Sequence, residues 1–98
     1  MPDSDLNFLK TLESIIQDRR ASPVTGSYTA ELFAAGSQRI AQKVGEEAIE
    51  VALASCHGDK TETKAETADL LYHLLVLLGN QDIKLTDVIA VLEERHTQ

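Results

Sequence analysis

The chain has 98 residues, 43% of them hydrophobic, with a single cysteine and a formal net charge of −7. That length supports one domain, spanning 1–98, whose small core buries a modest fraction of its surface, so that pairing with a second copy would complete it. The acidic balance excludes nucleic-acid binding through a basic surface, and one cysteine excludes an internal disulfide framework. The longest apolar stretch is too short for a bilayer, which needs about 20 residues. The N-terminus lacks the basic region and long apolar run of a signal peptide. A cytoplasmic protein without membrane contact is expected.

Helical periodicity runs through almost the whole sequence, and strand signals are weak. Ser4 or Asp5 can cap a first helix that reaches about Arg20, with Leu6, Leu9, Leu12, Ile15 and Ile16 as its apolar residues. Ser22-Pro23 and Thr25-Gly26 mark a loop. A short helix follows over Tyr28 to Ala35, interrupted near Gly36, and a longer one over about Ser37 to Ser55. Cys56 reads as a small buried hydrophobe, and with His57 it makes only two ligands, which is not a zinc site. The short Gly58-Asp59-Lys60 connection returns the next helix, about Thr61 to Leu78, antiparallel, and Gly79-Asn80 supplies its stop. A last helix over about Thr86 to Arg95 takes Thr86 or Asp87 as cap. The expected fold class is all-α, a compact antiparallel helical bundle.

Two acidic clusters stand out because they sit in segments that otherwise read as core. At about 100° per residue, Arg39, Lys43, Glu46, Glu47 and Glu50 share one arc, with Ile49 and Leu53 on its flank and Ile40, Ala41, Val44, Ala48, Val51 and Ala52 opposite. On the following helix Glu62, Glu66, Asp69 and His73 form a second stripe. Glu66 and Asp69 are three apart, so their oxygens can converge on one ion. Antiparallel pairing would bring Glu47 and Glu50 opposite Glu66 and Asp69, an oxygen-only donor set suited to Mg²⁺ or Mn²⁺. Read alone, Glu46, Glu47 and Glu50 are a solvated helix face answered by Arg39 and Lys43; it is their coupling to Glu66 and Asp69 in an apolar helix that favours a metal site. Those two cations can hold phosphate oxygens or form intrahelical ion pairs. Ser27, Tyr28 and Thr29 can offer hydroxyls to a ligand or cap the short helix. Glu62 reads as a solvated first-turn residue, and His73 as a satisfied core histidine or a ligand.

These residues together resemble the phosphoribosyl-ATP pyrophosphohydrolase family of histidine biosynthesis. The likeness rests on Ser27-Tyr28-Thr29, Leu32, Gly36, Lys43-Val44-Gly45-Glu46-Glu47-Ala48 and Glu50. It continues through Glu66, Asp69-Leu70, and Tyr72-His73-Leu74-Leu75-Val76-Leu77-Leu78, with Arg19 and Arg95-His96 also fitting. It covers about Leu6 to His96 without departure at the motif positions. The resemblance implies the all-α nucleotide pyrophosphohydrolase fold, related to the MazG and dimeric dUTPase groups, in a homodimer. It implies hydrolysis of 1-(5-phosphoribosyl)-ATP to 1-(5-phosphoribosyl)-AMP and pyrophosphate, by Mg²⁺-dependent attack of water on the triphosphate. Carried over by position, Glu47, Glu50, Glu66 and Asp69 are the Mg²⁺ ligands, with Mn²⁺ as a substitute. Glu46 and Glu47 are the catalytic carboxylates, Glu46 binding a second ion or orienting water. Arg19, Arg39 and Lys43, with Ser27, Tyr28 and Thr29, are the substrate-binding residues. The expected form is stand-alone, able to associate with a separate phosphoribosyl-AMP cyclohydrolase. Competing readings are a house-cleaning pyrophosphohydrolase of another nucleoside triphosphate and a non-catalytic helical dimerisation module.

Overall fold

A computed structural model of the chain describes residues 2–97, with the side chains of residues 2–4 outside the description. Five helices follow one another: α1 (Pro2–Ala21), α2 (Tyr28–Ala35), α3 (Ser37–Cys56), α4 (Lys60–Asn80) and α5 (Leu85–His96). No strand occurs among the described residues, as the periodicity predicts. Helix α1 starts at Pro2, ahead of the Ser4 or Asp5 cap expected from the sequence, and the Ser4 side chain lies outside the described residues.

Local chemistry sets the helix boundaries. Ser27 caps α2, its Oγ accepting the Ala30 N–H at 3.2 Å. Gly36 separates α2 from α3 with φ +97° and ψ 178°, a conformation that a Cβ would oppose, so the two helices meet at a sharp corner. Asp59 caps α4 by accepting the Glu62 N–H at 3.0 Å. The expected stop at Gly79 is corrected: α4 continues to Asn80. Gly79 is a packing residue inside the helix, with Phe33 Cζ 3.7 Å and Ile16 Cγ2 3.9 Å from where its Cβ would lie. Asp87 stabilises the start of α5 from inside the first turn, accepting the Lys84 N–H at 2.9 Å, so Lys84 occupies the cap position.

Helices α3 and α4 form the main antiparallel pair. The short turn at Gly58-Asp59 joins one end, and at the other the Asn80 side-chain amide donates to Ser37 Oγ at 2.8 Å. Helices α1 and α2 close over this pair around a core of Ile16, Leu32, Ile40, Leu75 and Val76. Full burial of each such side chain contributes about 1.5–3 kcal/mol. Arg20 fastens the far end, donating to the Gly79 carbonyl at 2.6 Å and to Asp82 at 2.7 Å. Helix α5 is tied to α1 where Glu13 accepts the Leu85 N–H at 2.7 Å, yet contains no buried residue.

The chain leaves much apolar surface open. Ile49 and Leu53 on α3, Leu71 on α4, and Ile89, Val91 and Leu92 on α5 are all exposed. Accessible surface totals 6969 Å², against about 5,500 Å² for a compact monomer of this mass. The radius of gyration is 14.7 Å, against about 13 Å.

Candidate functional site

The two acidic stripes meet in the groove between α3 and α4. One carboxylate oxygen each from Glu47, Glu66 and Asp69 lies within 4.8 Å of the others. Glu47 and Glu66 are half-buried and Asp69 is exposed, so the cluster opens to solvent on one side. This convergence follows from helix geometry: Glu66 and Asp69 are one turn apart on α4, and the antiparallel pairing slides Glu47 opposite them. Glu50, expected in the same set, is exposed and outside this triplet. Its charge still reaches Glu66. The Glu66 carboxyl titrates above its ordinary value because it is partly desolvated, adjoins Glu62, and feels the charges of Asp69, Glu47 and Glu50. Like charges gathered in this way, offset only in part by one ammonium at Glu47, are what a hard divalent cation relieves, and three carboxylates supply oxygen donors only.

Lys43 lies beside the triplet, its Nζ 3.4 Å from Glu47 and 3.3 Å from Glu46. Burial works against its charge, but the bonds to Glu46 and Glu47 and the nearby Tyr28 outweigh that and hold the ammonium above its ordinary range. Glu46 points more to solvent. Its carboxyl is held low, first by the hydrogen bond from Gln42 at 2.9 Å and then by Lys43. Gln42 was not anticipated as a site residue, although its spacing of four from Glu46 on one helix face is the signal for such a pair. Arg39 is exposed and makes no ion pair among the described residues, but its charge contributes to lowering Glu46.

The first turn of α2 is bound to α4 through its side chains. Tyr28 Oη lies 3.0 Å from His73 Nε2, and Thr29 Oγ1 is hydrogen-bonded to the Tyr72 hydroxyl. His73 Nδ1 is 2.7 Å from the Asp69 carbonyl oxygen one turn earlier. His73 is thus a buried histidine with both ring nitrogens engaged, as the core reading of that residue predicts. Tyr28, Tyr72 and His73 also pack their rings together, with His73 edge-on to both tyrosines. Partial burial raises the Tyr72 phenol, the bond with Thr29 opposes the rise, and Tyr28 adds to it. Ser27 serves as the α2 cap.

Arg19 stands apart from this group. It pairs with Asp18 at 3.0 Å and lines a cleft of about 300 Å³ with Arg20, Phe33 and Asn80. Asn80 lies about 16 Å along α4 from Asp69 at 1.5 Å per residue. A larger cleft of about 520 Å³, bounded by Arg20, Gly79 and Asp82, is at the same far end. Neither cleft includes a residue of the acidic cluster. The carboxylates are the better guide to chemistry, because binding a phosphorylated ligand through a cation requires convergent oxygens and not an apolar enclosure.

Residues 9–96 match the family model described as phosphoribosyl-ATP pyrophosphohydrolase. Among curated proteins the chain is 52% identical over 93 residues to the histidine biosynthesis bifunctional protein HisIE of Photobacterium profundum, covering 95% of this chain and 45% of that protein. It is 53% identical over 94 residues to the protein of the same name from Pasteurella multocida, covering 96% and 47%. The chain therefore spans about half the length of the curated relatives it matches. With a match across nearly its whole length and identity above half to such relatives, the chain belongs to the phosphoribosyl-ATP pyrophosphohydrolase family.

Proposed function

We propose that this chain hydrolyses 1-(5-phosphoribosyl)-ATP to 1-(5-phosphoribosyl)-AMP and pyrophosphate, within histidine biosynthesis. The observation that carries the reading is the convergence of Glu47, Glu66 and Asp69 in a chain of this family. We infer that these three, joined by Glu50, hold Mg²⁺, for which Mn²⁺ can substitute. The oxygen-only donor set fits such an ion. When bound, the ion supplies neutralisation of the triphosphate charge that the carboxylates would otherwise repel, and polarisation of the bond to be cleaved.

The chain's own residues supply the rest. Glu46, kept ionised beside Gln42 and Lys43, is an acceptor able to orient the attacking water. Lys43 holds Glu47 in place from one side and offers its remaining N–H donors to phosphate oxygens. Arg39, on the same face of α3, is available to a phosphate oxygen. Arg19, in the last turn of α1 beside the Asn80 end of α4, suits the remote end of a long substrate better than the phosphates being cleaved. Positioning and charge stabilisation account for most of the rate in this class of reaction.

We also propose a homodimer. The surface in excess of a compact monomer, about 1,500 Å², is within the roughly 1,000–2,500 Å² that an obligate homodimer removes from each partner. The exposed apolar residues of α3, α4 and α5 are its natural interface.

The test is pyrophosphate release by the purified protein from phosphoribosyl-ATP, with and without Mg²⁺, beside ATP and the four dNTPs. Mg²⁺-dependent release from phosphoribosyl-ATP alone supports the reading. Release from a dNTP instead keeps the chemistry and moves the substrate to the house-cleaning class. A folded protein silent on all of them returns the helical dimerisation module.

A further inference from the structure

The hydrogen-bond chain from Asp69 through His73 to Tyr28 has a direction. A backbone carbonyl can only accept, so His73 Nδ1, 2.7 Å from the Asp69 oxygen, carries the proton of that bond. In the neutral ring this leaves Nε2 as a lone-pair acceptor, and the only proton available at its 3.0 Å contact is the one on the Tyr28 phenol. Tyr28 has a single hydroxyl proton. Once donated to His73, the phenol oxygen can only accept.

That polarity matters because Tyr28 is 47% exposed while His73 behind it is 5% exposed. The ring of Tyr28 is held against Tyr72 at 6.2 Å and edge-on to His73 at 5.8 Å. Through His73 it is joined to the backbone of Asp69, a member of the acidic triplet. An acceptor oxygen beside the cleavage site repels phosphate oxygens, which are acceptors too. It attracts the hydroxyl and N–H donors of a nucleotide's sugar and base.

We propose that His73 is a positioning residue that turns Tyr28 into an acceptor, so that Tyr28 reads a sugar hydroxyl or base N–H of the nucleotide and not its phosphates. This rests on the activity proposed above. It separates Tyr28 from Lys43 and Arg39, whose donors suit phosphate, and assigns to α2 a part in choosing the nucleoside.

The test compares Tyr28→Phe, His73→Asn and His73→Gln, alone and with Tyr28→Phe, by steady-state kinetics on phosphoribosyl-ATP. Asparagine can keep the bond to the Asp69 carbonyl and loses the reach to Tyr28, whereas glutamine can restore an acceptor near the Nε2 position. Loss of one such bond is expected to raise KM about tenfold in Tyr28→Phe and His73→Asn, with kcat within about threefold. The double variant Tyr28→Phe/His73→Asn should be no worse than Tyr28→Phe, since both act through one hydroxyl. His73→Gln should recover most of the loss. Additive losses, an unchanged KM in Tyr28→Phe, or a fall in kcat alone would overturn the proposal. A second arm needs no turnover: ¹⁵N NMR of the His73 ring in the wild-type protein. A proton on Nδ1, with an Nε2 signal that shifts in Tyr28→Phe, supports the arrangement; a proton on Nε2 overturns it. An enzyme inactive on phosphoribosyl-ATP therefore sinks the proposed activity separately from the hydrogen-bond assignment.

Discussion

Replacing Gly79 by alanine should stabilise the protein, even though the glycine is buried in the last turn of α4. The added Cβ would meet Phe33 Cζ at 3.7 Å and Ile16 Cγ2 at 3.9 Å, both ordinary van der Waals separations. Gly79 is not among the glycines with positive φ, so no backbone strain opposes a side chain there. In a helix interior alanine is favoured over glycine by about 0.8–1.0 kcal/mol, and by less in a final turn. Burying one methyl adds up to about 0.8 kcal/mol. The bond from Arg20 to the Gly79 carbonyl, 2.6 Å, uses only the backbone and survives the change. A net gain of about 1 kcal/mol raises the melting temperature by roughly 4–8 °C. Thermal and urea unfolding followed by circular dichroism would measure it, at fixed protein concentration so that self-association contributes equally. A loss of 1 kcal/mol or more (about 4–8 °C downward) would refute the packing argument and restore Gly79 to a purely conformational role.

Three further outcomes are expected. Glu47→Gln and Asp69→Asn should each lower Mg²⁺-dependent pyrophosphate release by about 10²-fold or more while leaving helicity unchanged; near-normal activity in either would remove that residue from the ligand set. Because the Glu66 carboxyl titrates above the ordinary 4.5, the folded chain binds more protons than the unfolded chain between those two values. In the absence of divalent cation its contribution to stability is therefore full below 4.5 and lost as pH rises through the raised value. Subtracting the urea-midpoint profile of Glu66→Gln from that of the wild type isolates this slope, and millimolar Mg²⁺ should flatten it; a difference rising with pH would reverse the assignment. Leu53→Asp places a charge on the exposed apolar strip of α3 and should shift sedimentation from dimer to monomer. An unchanged dimer would move the interface elsewhere.

Much of this protein is legible in one dimension, because short-range chemistry fixes it. The boundaries of α2, its Ser27 cap, the antiparallel return at Gly58-Asp59 and the acidic pair on one face of α4 all depend on spacings of four residues or fewer. The oxygen cluster was foreseeable for the same reason: a short turn between two long helices leaves little freedom of register. The resemblance of the motifs to a known family likewise needs only the order of residues, and the family match over 9–96 agrees with it.

What only the tertiary structure decided are the features set by contacts between residues far apart in sequence. Gly79 looks like a helix stop until Phe33 and Ile16 are seen against it. On α3 the packing divides residues that periodicity groups together: Ala41, Ala48 and Ala52 are exposed although Ile40 in the same arc is buried, while Lys43 and Glu47 turn partly inward toward α4. Glu50 shares a stripe with Glu47 but not its place in the triplet, since a helix face is broad and three oxygens within 4.8 Å are not. Spacing left the hydroxyls of Tyr28 and Thr29 open to a ligand or to capping, and folding engages both with α4, more than forty residues away. Periodicity reports which residues share a face. Which atoms on that face find partners depends on the shape and chemistry of the element packed against it.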